Sequence, residues 1–166
     1  MSDKKADKPR YWLTYLLKDL AVGKTFKADV LHFTIVPWFV TELPEEQVIK
    51  TFLRAFSSQK KFAIIVGGKD VFKNKRQISI SLIEPSSEVQ SLHQQALVWL
   101  DEINARWAVK NPYVGAEFIP HIRRRRGRNV SEGQAINLSS LSLVRAYRRG
   151  DDSRTVAAKV IFDESR

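Results

Sequence analysis

Short segments in which apolar and polar residues alternate run through most of the chain, and this alternation is typical of half-buried β-strands. Together with their β-branched and aromatic content, it predicts strands at residues 11–18, 30–37, 62–66, 78–83, 116–123, 135–147 and 154–162. Residues 67–77 form a basic connection between the third and fourth of these strands, with Gly67 and Gly68 in a turn. Residues 149–152 have the composition of a hairpin turn between the last two.

In two other segments the apolar residues recur every three to four positions, which is typical of a helix. In residues 44–56 Pro44 opens a helix and Glu45 and Glu46 stand at its positive N-terminal end. Its apolar stripe consists of Val48, Ile49, Phe52, Leu53 and Phe56. A second helix begins near Ser87 and Gln90, which resemble a capping box. Its stripe consists of Val89, Leu92, Ala96, Leu100, Ile103 and Trp107.

These elements predict an α+β fold. Strands and helices do not alternate strictly, and runs of strands joined by short turns favour antiparallel sheets. A chain of 166 residues with 43% hydrophobic residues is long enough to bury one core. We expect one folded unit over residues 10–166, preceded by a disordered, Lys- and Asp-rich tail over residues 1–9.

Absent residue types exclude several kinds of chemistry. The chain has no cysteine, which excludes disulfides, thiol catalysis and iron–sulfur clusters. It has only three histidines, so we expect no metal site. We also expect no cofactor. No apolar stretch approaches the ~20 residues of a membrane span, and the charged start MSDKKADKPR lacks the apolar region of a secretion signal. We therefore expect a cytoplasmic protein with no membrane partner.

Positive charge is concentrated in one part of the sequence. The formal net charge is +10, which favours anionic partners such as nucleic acid. Residues 121–154 hold nine arginines against three acids, and residues 123–129 read RRRRGRN. Because the guanidinium fork suits phosphate, we expect nucleic-acid contacts from the arginines of this loop. These are Arg124, Arg125, Arg126 and Arg128. A solvated surface loop or a localisation signal is the alternative interpretation.

Two strands carry a histidine and a hydrogen-bond donor on the same face. Alternation places His32 with Thr34 on one face of the strand at 30–37, and His121 with Arg123 on one face of the strand at 116–123. A single histidine in a strand is more often a packed or surface residue. Because the pattern occurs twice in separate parts of the chain, the two histidines could meet across a cleft. His93, in the second helix, is expected to be structural or at the surface.

The segments HFTIVPWF, FIPHIRRR and LSSLSLVRAYRRGDDSRTVAAKVIF resemble the two-histidine phosphoesterase superfamily, in the branch of RNA 2′,3′-cyclic phosphodiesterases and 2′-5′ RNA ligases. The resemblance covers residues 11–162 by order of elements. It implies a bilobed domain of two related antiparallel-sheet-plus-helix halves around a central groove, approximately residues 10–84 and 85–166. We also expect a monomer.

The same resemblance implies a metal-independent hydrolase that opens 2′,3′-cyclic phosphodiester ends of RNA or nucleotides to 2′-phosphates, with reverse 2′-5′ ligation. His32 would protonate the departing 3′-oxygen and His121 would activate water, since histidine can serve as acid or base near neutral pH. Thr34 and Arg123 would bind the non-bridging phosphate oxygens.

One position departs from the family pattern, which has Thr or Ser where this chain has Arg123. The guanidinium could bind phosphate more strongly, or it could crowd the pocket and retain product. The alternative function is therefore a noncatalytic RNA-binding module that retains the fold and the basic groove. A hydrolase for a different cyclic phosphodiester is a third hypothesis. Trp38, Phe39 and Tyr113, which flank the histidine strands, could stack on a base or belong to the core.

Overall fold

The computed structural model describes residues 8–73, 77–110, 112–147 and 153–164. The expected turn at 149–152 lies outside this part of the chain, as do residues 1–7 of the expected tail. Pro9, the last residue of that tail, already belongs to the first strand.

The described residues form ten strands and two α-helices. The strands are β1 (Pro9–Leu16), β2 (Thr25–Phe26), β3 (His32–Val40), β4 (Phe62–Lys73), β5 (Gln77–Ile83), β6 (Arg106–Trp107), β7 (His121–Arg123), β8 (Ala135–Leu138), β9 (Ser140–Tyr147) and β10 (Arg154–Ile161). The helices are α1 (Glu45–Phe56) and α2 (Ser87–Glu102). The predicted α+β class is confirmed. No helix in the described ranges is long and apolar enough to cross a membrane.

The two strands that begin with histidine are neighbours near the middle of the sheet. The strand order is β2-β10-β9-β1-β3-β7-β5-β4-β8, with β6 paired to β3, and the named pairs are antiparallel. On each side of the β3–β7 junction lie strands from both the early and the late part of the sequence. The division into two related halves stays a prediction.

Both helices supply side chains to the main core. Val48, Phe52 and Phe56 of α1 are fully buried there, together with Trp99 of α2 and Phe33 of β3. The apolar stripes predicted for the helices are the reason, because each presents one apolar face to the strands. A smaller cluster contains the β1 residues Trp12 and Leu16, which alternate with the main-core residues of that strand. Its other buried members are Leu20, Phe26, Val144 and Val156.

The prediction of a turn at Gly67 and Gly68 is wrong. β4 continues through both glycines to Lys73, and the pairing of β4 with β5 shifts register between Val66 and Lys69. The glycines occupy a β-bulge, where a side chain on Gly67 would come within 3.2 Å of the Glu84 carboxylate.

Both ends of the second helix differ from the prediction. Ser86, rather than Ser87, is the N-cap, and its hydroxyl accepts a hydrogen bond from the Val89 N–H. The helix ends at Glu102, and Asn104 follows with φ +50°. Trp107 lies in β6, so the predicted stripe runs one turn too far.

Two predicted strands are shorter than their patterns indicate. In 116–123 only His121–Arg123 is a strand, and Gly115–Glu117 forms a 3₁₀ turn. In 135–147 the chain breaks at Ser139, with β8 paired to β4 and β9 paired to β1 and β10. One alternating run can therefore form two separate strands with different neighbours, which the alternation itself does not reveal.

Candidate functional site

The sheet brings the two predicted histidines onto adjacent strands. Phe33 of β3 pairs with Ile122 of β7 in antiparallel register, and both are buried. That register sets His32 opposite Arg123 and Thr34 opposite His121. Directly opposed residues project from the same face with Cβ atoms about 5 Å apart. All four side chains therefore share the face opposite the Phe33 and Ile122 side chains.

The two imidazoles are held in the same way. The Nδ1 atom of His32 lies 2.8 Å from the Val30 carbonyl oxygen, and that of His121 lies 2.7 Å from the Ile119 carbonyl oxygen. A carbonyl oxygen only accepts hydrogen bonds, so each Nδ1 must carry a proton and donate it. Each Nε2 is then the atom that can take up or release a proton, as acid–base catalysis requires.

Each histidine packs against an aromatic ring, and burial lowers the pKa of both. The edge-on ring of Trp12 lies 4.4 Å from His32, and the ring of Phe72 lies 4.6 Å from His121. Burial lowers the pKa of His32 to about 4, with further lowering by Arg154, Arg125 and His121, and its bond to Val30 opposes the shift. Burial also lowers the pKa of His121. Without substrate, the neutral form of both rings therefore predominates at pH 7.

Trp12 contacts both His32 and Thr34. Its indole Nε1 donates to the Thr34 Oγ1 atom over 3.0 Å, while its ring contacts His32. Because the indole N–H can only donate, Thr34 accepts this bond and retains its hydroxyl hydrogen for another acceptor. Sequence reasoning missed Trp12, because only the pairing of β1 with β3 places it beside the histidine strand.

An apolar pocket of about 300 Å³ adjoins His121. Phe72 and Tyr113 line it with their rings stacked 5.9 Å apart, and Thr34 is also in its wall. Tyr113 is thus placed where a base could stack. Phe39 is fully buried in the main core, which excludes it from that role. Trp38 packs against Trp12 with the ring centres 5.4 Å apart, and the guanidinium of Arg10 lies over it at 4.4 Å from its ring centre.

The arginines after His121 have different environments. Arg123 is exposed, whereas Arg124 donates to the Ser81 hydroxyl over 3.1 Å and Arg125 donates to the Ala28 carbonyl over 2.6 Å. Arg126 and Arg128 are exposed around a turn in which Gly127 has φ +76°, a value that glycine adopts readily.

His93 lies in the main core, away from solvent. Its Nδ1 donates to the Ile35 carbonyl over 2.8 Å, its Nε2 accepts from the Gly115 N–H over 2.9 Å, and its ring stacks on Phe118. Both ring nitrogens are thereby used in structural hydrogen bonds. Nowhere in the described ranges do three histidine, aspartate or glutamate side chains gather closely enough to share a metal ion.

Comparisons with known proteins find the fold among solved structures. No family model matches the chain, and no curated protein matches it. A crystal structure of a phosphoesterase superposes with a TM-score of 0.61 at 13% identity and covers 93% of this chain and 98% of its own. TT0787 of Thermus thermophilus gives 0.61 at 16% identity, covering 95% and 100%. E. coli LigT complexed with NADP+ gives 0.60 at 13% identity, covering 95% and 99%. The chain therefore shares the fold of these phosphoesterase and LigT structures, as the resemblance of its histidine strands to the two-histidine phosphoesterases implied.

Proposed function

We propose that the protein hydrolyses 2′,3′-cyclic phosphodiester ends of RNA or nucleotides to 2′-phosphates without a metal ion, and that it also catalyses the reverse 2′-5′ ligation. One observation carries the proposal: two imidazoles on neighbouring strands share a face, and each has its Nδ1 fixed by a carbonyl so that Nε2 is the reactive atom. Such a pair supplies the acid and the base that the reaction needs.

The roles of the two histidines follow the family resemblance. The Nε2 of neutral His121 takes a proton from water as the water oxygen bonds to phosphorus. The bond from phosphorus to the 3′-oxygen breaks, and protonated His32 gives its Nε2 proton to that oxygen. Thr34 and Arg123 hold the non-bridging oxygens, where negative charge grows in the transition state. Each histidine ends in the opposite protonation state, and proton exchange with solvent restores both.

The low pKa of His32 requires that the substrate itself helps to protonate this residue. A phosphate anion beside a histidine favours the charged imidazolium form and raises its pKa. Bound substrate also offsets the positive charge of Arg154 and Arg125, which lower the pKa of His32 in the free protein. His32 can therefore gain its proton as the anion binds.

A nucleotide fits the surroundings of the pair. The apolar pocket beside His121 has a stacked aromatic pair in its wall, which suits a base next to the reacting phosphate. E. coli LigT has been crystallised with 3′-AMP and with phosphate, which supports a nucleotide phosphate as the ligand of this fold.

The test is turnover of an RNA that ends in a 2′,3′-cyclic phosphate, followed by ³¹P NMR with excess chelator present. We expect conversion to a 2′-phosphate, and loss of turnover in both His32→Ala and His121→Ala while circular dichroism remains unchanged. Lys50→Ala, at an exposed position of α1, is the matched control and should retain full activity. Activity that needs added metal, or that survives either histidine substitution, would contradict the proposal.

The position of Arg123 favours a second candidate, a noncatalytic RNA-binding module. The register places this exposed, permanently charged residue opposite His32, where it can retain a phosphate without turnover. An unchanged cyclic end together with salt-sensitive RNA binding would support the module over the enzyme.

A further inference from the structure

A second cleft, which the acid–base chemistry does not use, lies next to the His32 end of the site. It has a volume of about 540 Å³. Its lining includes cationic side chains of the β1–β2 and β2–β3 connections and one from residues 123–129, which we call the arginine loop. We call it the lysine cleft, after Lys18, Lys24 and Lys27; Arg128 is the fourth cation and Asp29 is the acid in its lining.

The lysine cleft adjoins the His32 end of the site through shared backbone. Val30, whose carbonyl accepts the hydrogen bond from His32, also lines the cleft, and so does Leu31. Arg125 donates to the Ala28 carbonyl in the same connection, and its charge acts on His32. The cleft therefore begins within two residues of His32, close enough for a chain bound at His32 to extend into it.

The lining of the cleft suits a strand of nucleotides. Lys18, Lys24 and Arg128 are exposed, and Lys27, also exposed, donates to the Ser153 hydroxyl over 3.1 Å. Four cations against one acid attract a polyanion. The same lining also includes apolar side chains: Leu17, Leu20, Phe26, Val30 and Leu31. Phosphates can thus contact the cations while bases cover the apolar part, the arrangement found in grooves that bind single strands.

We propose that the lysine cleft binds the single-stranded RNA that carries the reacting phosphate, so that the preferred substrate is an RNA end rather than a free nucleotide. This inference rests on the proposed function for the identity of the reacting end. Binding in the cleft needs no turnover, so the two proposals can fail separately.

The experiment compares a long and a short ligand. A labelled RNA of twelve nucleotides with a 2′-phosphate end, and a nucleoside 2′-phosphate, are titrated against the wild type and the triple variant Lys18→Gln, Lys24→Gln, Lys27→Gln. Lys50→Gln is the control for a lysine removed elsewhere. Binding of the RNA is measured by fluorescence anisotropy at several salt concentrations, and that of the nucleotide by calorimetry.

We expect the triple variant to bind the RNA about tenfold or more weakly at 0.1 M salt, with its salt slope reduced by about 0.7 for each phosphate that a lysine no longer neutralises. Affinity for the nucleoside 2′-phosphate should be unchanged, and Lys50→Gln should match the wild type with both ligands. Unchanged RNA binding in the triple variant would overturn the inference. So would an equal loss for both ligands, an equal loss in the Lys50 control, or equally effective competition by polyglutamate.

Discussion

The pKa of His32 leads to a specific pH dependence. If His32 is the acid, the active form of the free enzyme has His32 protonated and His121 neutral. Burial lowers the pKa of His32 to about 4 and moves that of His121 below its usual 6.5. Above pH 6.5 the neutral form of His121 therefore predominates, and the protonated fraction of His32 is the main quantity that still changes.

That fraction falls tenfold with each pH unit, so kcat/KM should fall about a hundredfold between pH 6.5 and pH 8.5. With a pKa near 4, about one molecule in a thousand carries the active proton at pH 7. kcat reports the substrate complex, in which the phosphate anion favours the proton. Its decline should therefore begin at a higher pH than that of kcat/KM.

The assay measures initial rates on a cyclic-phosphate RNA between pH 5.5 and 8.5 at constant ionic strength, with the pKa of each histidine followed separately by NMR. Arg154→Gln provides an internal check, because removing this charge should raise the pKa of His32 and shift the decline to higher pH. A kcat/KM that stays constant from pH 6.5 to 8.5, or a His32 pKa near 6.5 in the free protein, would refute the reasoning.

Four further outcomes are expected. Trp12→Phe removes the indole N–H that donates to the Thr34 hydroxyl. Because one such hydrogen bond contributes about 1 kcal/mol, kcat should fall about fivefold with little change in KM. An unchanged kcat would contradict a positioning role for Trp12. Arg123→Thr should raise KM or slow turnover, whereas faster turnover would identify the arginine as an obstruction. His93→Leu should reduce the free energy of unfolding by about 2 kcal/mol in urea titrations, because the buried Ile35 carbonyl and the partly buried Gly115 N–H lose their hydrogen-bond partner. Burial lowers the pKa of all three histidines, so as the pH falls the histidines of the unfolded chain are protonated before those of the folded protein. The free energy of unfolding should therefore decrease as the pH drops from 6.5 towards 4. Equal free energies of unfolding at pH 7 and pH 5 would contradict this.

Local patterns were sufficient for the features that depend on neighbours in sequence. Alternation places His32 with Thr34 and His121 with Arg123 on one strand face whatever the rest of the fold does. The stripe of α1 is likewise local, and that helix ends at Phe56 as predicted.

Features that depend on pairing between distant segments could not be predicted. The register of Phe33 with Ile122 brings the two histidines together, and nothing near either residue encodes it. Trp12 enters the site only because β1 lies beside β3. Gly67 resembles a turn residue, and its role in a bulge appears only when β4 is paired with β5.

The position of a bound phosphate tests the acid–base pair most directly. A crystal structure of the protein with a nucleoside 2′-phosphate should place the phosphate between the two imidazoles, with its oxygens about 3 Å from the Nε2 atoms of His32 and His121 and within reach of Thr34. A phosphate held only by the arginine loop, with both Nε2 atoms making no contact to it, would contradict the account.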